Sequence, residues 1–261
     1  MIRSILAFAL LTGRNLFAGK RAWAAAAAVL LPPVVAALVA ALAPRADGTE
    51  LFHGIAFHFS LRILLFLLAL LYGLSFTSGE IEEGTAGYLY LGALPRWTIV
   101  LVQVLVGTLA IAAILGASLL LTGLAASLAS KGPPADLWRD AAGMTVVAGA
   151  GALASLGFYA ACGLSFRRPL AVAVIATFLW EILVTPMPVR FAAWTLTNNL
   201  RALLLLLVFD GQRGPWYRYA RNYEFPGYGS AALFVSAAAA AFLGAAMVAA
   251  MNRSIEGKEA R

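Results

Sequence analysis

The sequence predicts an all-α membrane protein with six transmembrane helices, and three observations carry that prediction. Of 261 residues, 62% are hydrophobic and 12% charged, and the mean hydropathy is +0.86, whereas about 25% of residues are charged in an average soluble domain. Six apolar stretches approach or exceed the roughly 20 residues that span a bilayer core. None of them carries the polar face by which a soluble helix meets water. Spans and linkers together leave no room for a large soluble domain, so the chain reads as a single transmembrane domain over residues 1–261.

The first 21 residues are expected to form an amphipathic surface helix. Ile2, Ile5, Leu6, Ala9, Leu16 and Phe17 alternate with Arg3, Arg14 and Arg21. At about 100° per residue, that spacing brings the three arginines within roughly 20° of one another, which suits a helix lying in the plane of a membrane interface. A secretory signal is the rival reading, because Arg3 precedes the apolar run from Ile5 to Leu11. Gly13-Arg14-Asn15, however, stands where a small-residue cleavage site would fall.

The six spans are expected at Ala22 to Ala43, Gly54 to Phe76, Ile99 to about Leu124, Ala141 to Cys162, Leu170 to Val184, and Ser230 to Met251. Pro186 and Pro188 cut the fifth short. With the N-terminus inside, the inner side holds Arg3, Arg14, Lys20, Arg21, Arg96, Arg167, Arg168, Arg253, Lys258 and Arg261, against Arg45, Lys131 and Arg139 in the short outer loops. The positive-inside rule then places both termini in the cytoplasm. The net charge of +7 is read as topological information, and no nucleic-acid partner is expected.

Residues 185–229 form the long extracytoplasmic connection between the fifth and sixth spans. Phe191 to Phe209 is long enough to cross, but Asn198, Asn199 and Arg201 lie near its middle, and Arg alone costs about 2.5 to 3.5 kcal/mol at a bilayer centre. A re-entrant or interfacial helix over Leu200 to Phe209 is the expected outcome, with a seventh span as its rival. Trp216, Tyr217, Tyr219, Tyr223, Phe225 and Tyr228 follow with the composition of an interfacial belt. Small residues recur at four-residue spacing at Gly151 and Ser155, and at Ser236, Ala240 and Gly244. Such ridges permit close helix approach, and packing within the subunit is expected for both, with a dimer interface as the alternative.

Catalytic and cofactor patterns fail in turn. Cys162 is the single cysteine, which excludes an internal disulfide and a thiolate cluster. No P-loop is present, since Gly19-Lys20 and Gly257-Lys258 have Arg14 and Asn252 where its first glycine should stand. His53 and His58 are five residues apart, roughly 140° around a helix, and do not converge on one metal. The expectation is therefore no enzyme activity, no cofactor and no metal in this chain.

The informative segment lies between the second and third spans, residues 77–97, and includes Thr77, Glu80, Glu82, Glu83, Gly84, Thr85, Tyr88, Leu89, Pro95 and Arg96. Thr77 and Glu80 have capping-box spacing, and Glu80, Glu82 and Glu83 suit the positive end of a helix. Tyr88, Leu89 and Leu91 supply an apolar part before Pro95 and Arg96 close the segment. A short cytoplasmic helix with an acidic start is expected, joined stiffly to two spans.

At these residues the chain resembles the membrane subunits of ABC transporters of the type-2 exporter class. That family's loop reads acidic-x-acidic-x-Gly-Thr, a Leu/Tyr-rich turn, then Pro-x-[Ser/Pro]-Arg with a lysine seven residues on. Glu80, Glu82, Gly84, Thr85, Tyr88, Leu89, Pro95 and Arg96 match it, and Ala93 and Gln103 depart from it. The resemblance implies a permease in the bacterial inner membrane that pairs with a second permease subunit, as a homodimer or heterodimer, among membrane lipids. It also implies a separate cytoplasmic ABC ATPase subunit that binds ATP and Mg and docks on Glu80, Glu82, Glu83, Gly84, Thr85, Tyr88, Pro95 and Arg96, with 77–97 acting as the coupling helix. The alternative function is a scaffold or assembly factor that keeps a permease-like fold and moves nothing. Two intramembrane charges, Arg62 and Glu181, have similar expected depths and are read as a structural ion pair that holds the two spans together, with a substrate contact as the rival reading.

Overall fold

A computed structural model describes residues 2–16, 20–42, 47–76, 94–128, 136–185, 193–208 and 228–252. Among these residues every regular element is helical. In chain order they are α1 (Ile2–Leu16), α2 (Lys20–Leu42), α3 (Gly48–Leu74), α4 (Arg96–Ala126), α5 (Leu137–Ser165), α6 (Pro169–Ala176, continuing as a π-helix over Thr177–Val184), α7 (Leu196–Leu207) and α8 (Tyr228–Asn252). Helices α2 to α5 and α8 are long and apolar enough to cross a membrane. Helix α6 is shorter, eight residues in each of its two parts. It reaches at most about 24 Å at α-helical rise, against roughly 30 Å of hydrocarbon.

The start of α3 differs from the expected Gly54. Asp47, in extended backbone, accepts a 2.9 Å hydrogen bond from the Thr49 amide, and Glu50 sits in the first turn. This polar cap lets the helix begin at Gly48, a turn and a half before the apolar run. Within α3, residues Ala56–Leu64 form a π-helix, in which the Leu65 amide reaches back five residues to the Ser60 carbonyl. Helix α4 starts at the expected junction: Pro95 precedes it in extended backbone, and its carbonyl accepts from the Thr98 amide at 2.9 Å. In α2, Pro32 and Pro33 stay inside an unbroken helix, as prolines do in spans where neighbours compensate for the missing donor.

Helix α5 is the centre. It packs against α3, α4, α6, α7 and α8, while α1 and α2 lie against α4. Within their apolar windows, 56% of residues are buried in α4 and in α5, compared with 28% in α2 and 22% in α8, so the latter two form the periphery. Helix α1 is the expected amphipathic element in part: Thr12 and Leu16 are buried, while Arg3 and Arg14 are exposed.

Close approach to α5 runs through glycine. A Cβ on Gly151 would meet Leu65 and Leu200 at 2.8 and 2.6 Å, and one on Gly157 would meet the backbone of Leu243 and Phe242 at 3.0 and 3.3 Å. The Gly151 and Ser155 ridge thus packs within the subunit, as expected. The second ridge corrects the expectation, because Ser236 and Ala240 are exposed and nothing lies within 4 Å of a Cβ on Gly244. The face of α8 that packs inward is instead Ala231, Val235, Ala239, Ala246 and Ala250. Small-residue spacing marks a ridge but not the side on which a neighbour lies.

These contacts set a stability difference. Gly157→Val should destabilise the protein by about 1–3 kcal/mol, since the backbone of α8 cannot yield as a side chain does. Gly244→Val should stay within about 0.5 kcal/mol. Melting curves of the two variants in one detergent check this.

Candidate functional site

Two buried polar features meet where α3, α5, α6 and α7 converge. The first is built on Glu181, in the π-helical end of α6 and 9% exposed. One of its carboxylate oxygens, Oε1, accepts from the Leu196 amide at 2.9 Å, and the other, Oε2, accepts from the Thr197 amide at 2.8 Å and the Thr197 hydroxyl at 2.7 Å. Leu196 and Thr197 open α7. The next amide, Asn198, donates to the N-cap hydroxyl of Thr195 at 3.3 Å, and the Asn199 amide donates to the Thr195 carbonyl.

Three of the donors that a helix N-terminus leaves unmet, the amides of Leu196, Thr197 and Asn198, are therefore satisfied, and a carboxylate stands at the positive end of the helix dipole. Asn199 Nδ2 adds bonds to the carbonyls of Ala193 and Thr195 at 2.7 and 2.8 Å. The asparagines that argued against a seventh span are thus buried parts of a capped N-terminus. Farther along α7, the guanidinium of Arg201 stands 4.7 Å over the Phe57 ring of α3, a cation–π contact. The short helix α7 is held at its start by α6 and at its middle by α3.

The second feature is a cleft of about 460 Å³ between α3, α5 and α6. One wall is a single face of α3, on which His58, Arg62, Phe66 and Leu70 recur every four residues. Tyr159 of α5 and Thr177 and Phe178 of α6 form the opposite side. Thr177 donates its only hydroxyl proton to the Ala173 carbonyl at 2.8 Å, so Tyr159 is the donor in the 2.8 Å bond between the two hydroxyls. Arg62 and Arg201 both lie within electrostatic range of His58. His58 and Arg62 lie toward the start of α3, whereas Tyr159 packs against Gly73 near its end and reaches Thr177 from there.

The structure separates the expected roles of the two histidines. His53 is buried, and its Nε2 lies 2.8 Å from the Asp140 carboxylate, which joins the second turn of α3 to the first turn of α5. His58 is exposed at the cleft. The three hydrogen bonds that Glu181 receives come from Leu196 and Thr197, and Arg62 is not among their donors. Sequence reasoning missed these donors because two are backbone amides, which have no letter. It also missed the stripe of His58, Arg62, Phe66 and Leu70, although its i, i+4 spacing was readable.

Of the expected coupling residues, Glu80, Glu82, Glu83, Gly84, Thr85 and Tyr88 lie outside the described residues. Pro95 and Arg96 are at the start of α4. No protein-family model matches the chain, and no curated protein matches it.

The Glu181 cap makes a measurable coupling. Glu181→Gln and Thr197→Val should each destabilise the protein, and together by about 1 kcal/mol less than their sum, since both remove the same charge-assisted hydrogen bond. A double-mutant cycle from melting curves reads that difference, and additive losses would remove the bond from the fold.

Proposed function

We propose that the chain is the membrane-spanning permease subunit of an ATP-driven exporter of the type-2 ABC class, working as a dimer and driven by a separate cytoplasmic ATPase that docks on residues 77–97. The observation that carries this reading is the sequence of that segment, with Glu80, Glu82, Gly84, Thr85, Pro95 and Arg96 in the spacing of the family's coupling loop. Its setting supports the reading: the segment joins two helices that are long enough to cross a membrane, and Pro95 fixes where the second begins. The reading requires that junction to transmit a rigid-body push from the ATPase to α3 and α4.

The reading requires six crossings with both termini in the cytoplasm. Helix α6 is the short sixth crossing, a mismatch that a bilayer accommodates by local thinning at a fraction of a kcal/mol per Å. Helix α7 then takes the part of the outer helical segment, turned back toward α3 by Glu181 and Arg201. Among the described residues the polar groups at the convergence of α3, α5, α6 and α7 serve packing and binding, and ATP hydrolysis belongs to the partner.

Reversing Glu82 and Glu83 to Lys should abolish co-purification of the ATPase and its stimulation, because charge complementarity sets such contacts. The melting curve of the permease alone should change little, since solvated charges contribute little to stability. Full ATPase retention and stimulation in the double reversal would remove the segment from the mechanism and leave a scaffold as the better reading.

A further inference from the structure

We infer that α6 and α7 are the two halves of one interrupted crossing, joined at mid-depth by the Glu181 carboxylate, and that this joint lets the inner half move while the outer half stays fixed to α5 and α8. The register of contacts along α5 carries the inference. Helix α6 returns along α5, since Tyr159, near the end of α5, bonds Thr177, midway along α6. Helix α7 runs the same way. A Cβ on Gly151 would meet the Leu200 side chain at 2.6 Å, and one on Gly143, about two turns nearer the start of α5, would meet the Val208 side chain at 2.8 Å. Both helices are therefore antiparallel to α5, and the start of α7 meets α6 at Glu181.

The depth of the joint follows from the same contacts. Gly151 stands about 21 Å from the start of α5 at helical rise, close to the middle of a helix about 44 Å long. Glu181 holds the amides of Leu196 and Thr197, one turn from Leu200. Eight residues in each part of α6 and 12 in α7 together nearly match the 29 of α5, so α7 supplies the outer length that α6 lacks. Helix ends inside a bilayer need polar partners of their own, and the carboxylate provides them for α7.

The two halves are held unequally. Helix α7 packs against α5 and α8, and Leu196, Leu200, Leu203 and Leu204 are buried there. Of Pro169–Ala176 only Ala173 is buried, while Leu170, Ile175 and Leu179 are each more than half exposed. The hydrogen bonds that tie α6 to the α7 segment, from Leu196 and Thr197 to Glu181 and from the Trp180 indole to the Trp194 carbonyl at 3.3 Å, all lie at the joint. A helix packed on one side and linked to its continuation at one end moves as a unit about that link.

The inference takes from the six-crossing reading only the direction in which α5 runs, and failure of ATPase docking would leave it intact. Its test uses the full-length protein in dioleoylphosphatidylcholine vesicles with nitroxides on cysteines placed at exposed positions: Leu183 near the end of α6, Leu207 at the end of α7 and Ala240 in the middle of α8. The parent without added cysteines gives the background from the buried Cys162. Collisional relaxation by oxygen and by a water-soluble nickel complex should place Leu183 at the depth of Ala240 and Leu207 near the surface. Pulsed distance measurements then read the joint. Glu181→Gln should broaden the distribution between labels at Ile175 and Leu207 about twofold, and leave that between Leu207 and Ala240 unchanged. If Glu181→Gln does not fold, Thr197→Val carries the same decision.

A Leu183 label as shallow as one on Trp138, at the start of α5, would make α6 a complete crossing in a thinned bilayer. The six-crossing reading would then stand and this inference would fall. Distributions unchanged for both pairs would also overturn it, because α6 would be fixed without the carboxylate. Broadening of both pairs would do the same, because α7 would be loosened along with α6.

Discussion

The carboxylate of Glu181 is the interaction on which the arrangement of α6 and α7 depends. A helix that begins among apolar helices exposes amides that water cannot reach, and each unmet donor there costs several kcal/mol. Glu181 meets two of them and the Thr197 hydroxyl, and Thr195 meets the next. Without this cap α7 could not start where it does, beside Trp194 and Thr195, and Arg201 would not be carried to the Phe57 ring. The cost of burying one carboxylate is offset by its hydrogen bonds and by the helix dipole. An acidic residue that looks like an intramembrane functional charge is therefore first a structural one.

How much of this was legible in the residues follows from what each signal measures. Long apolar runs gave five spans, because in lipid a helix satisfies its own backbone and needs no periodic face. The boundary of α3 was misjudged by six residues, since Asp47 and Glu50 extend the helix by capping rather than by hydropathy. Asn198, Asn199 and Arg201 were readable as polar residues within an apolar stretch, whereas their partners were not. Depth along two helices says nothing of the Leu196 and Thr197 donors to Glu181, which depend on how α7 folds back, and no local pattern encodes that. The outward ridge of Ser236, Ala240 and Gly244 was misread for a similar reason, because spacing fixes a face and only packing against α5 fixes its direction.

The cleft and the cap share a boundary. Thr177 and Phe178 lie one turn before Glu181 on the same π-helical segment, so the anchor that holds α7 also fixes one wall of the cleft. Tyr159 ties that wall to α5 through its bond to Thr177. The wall of the cleft and the position of α7 are therefore mechanically joined. The His53 and Asp140 pair joins the second turn of α3 to the first turn of α5 and keeps the two long walls in register.

Hydrogen exchange at the start of α7 tests the central claim most directly. In the parent protein the amides of Leu196 and Thr197 should be protected, and Glu181→Ala should speed their exchange at least about tenfold, the equivalent of one lost charge-assisted hydrogen bond, while amides in the middle of α5 keep their protection. Unchanged protection of Leu196 and Thr197 in that variant would contradict the account, because α7 would then be held by something other than the Glu181 carboxylate.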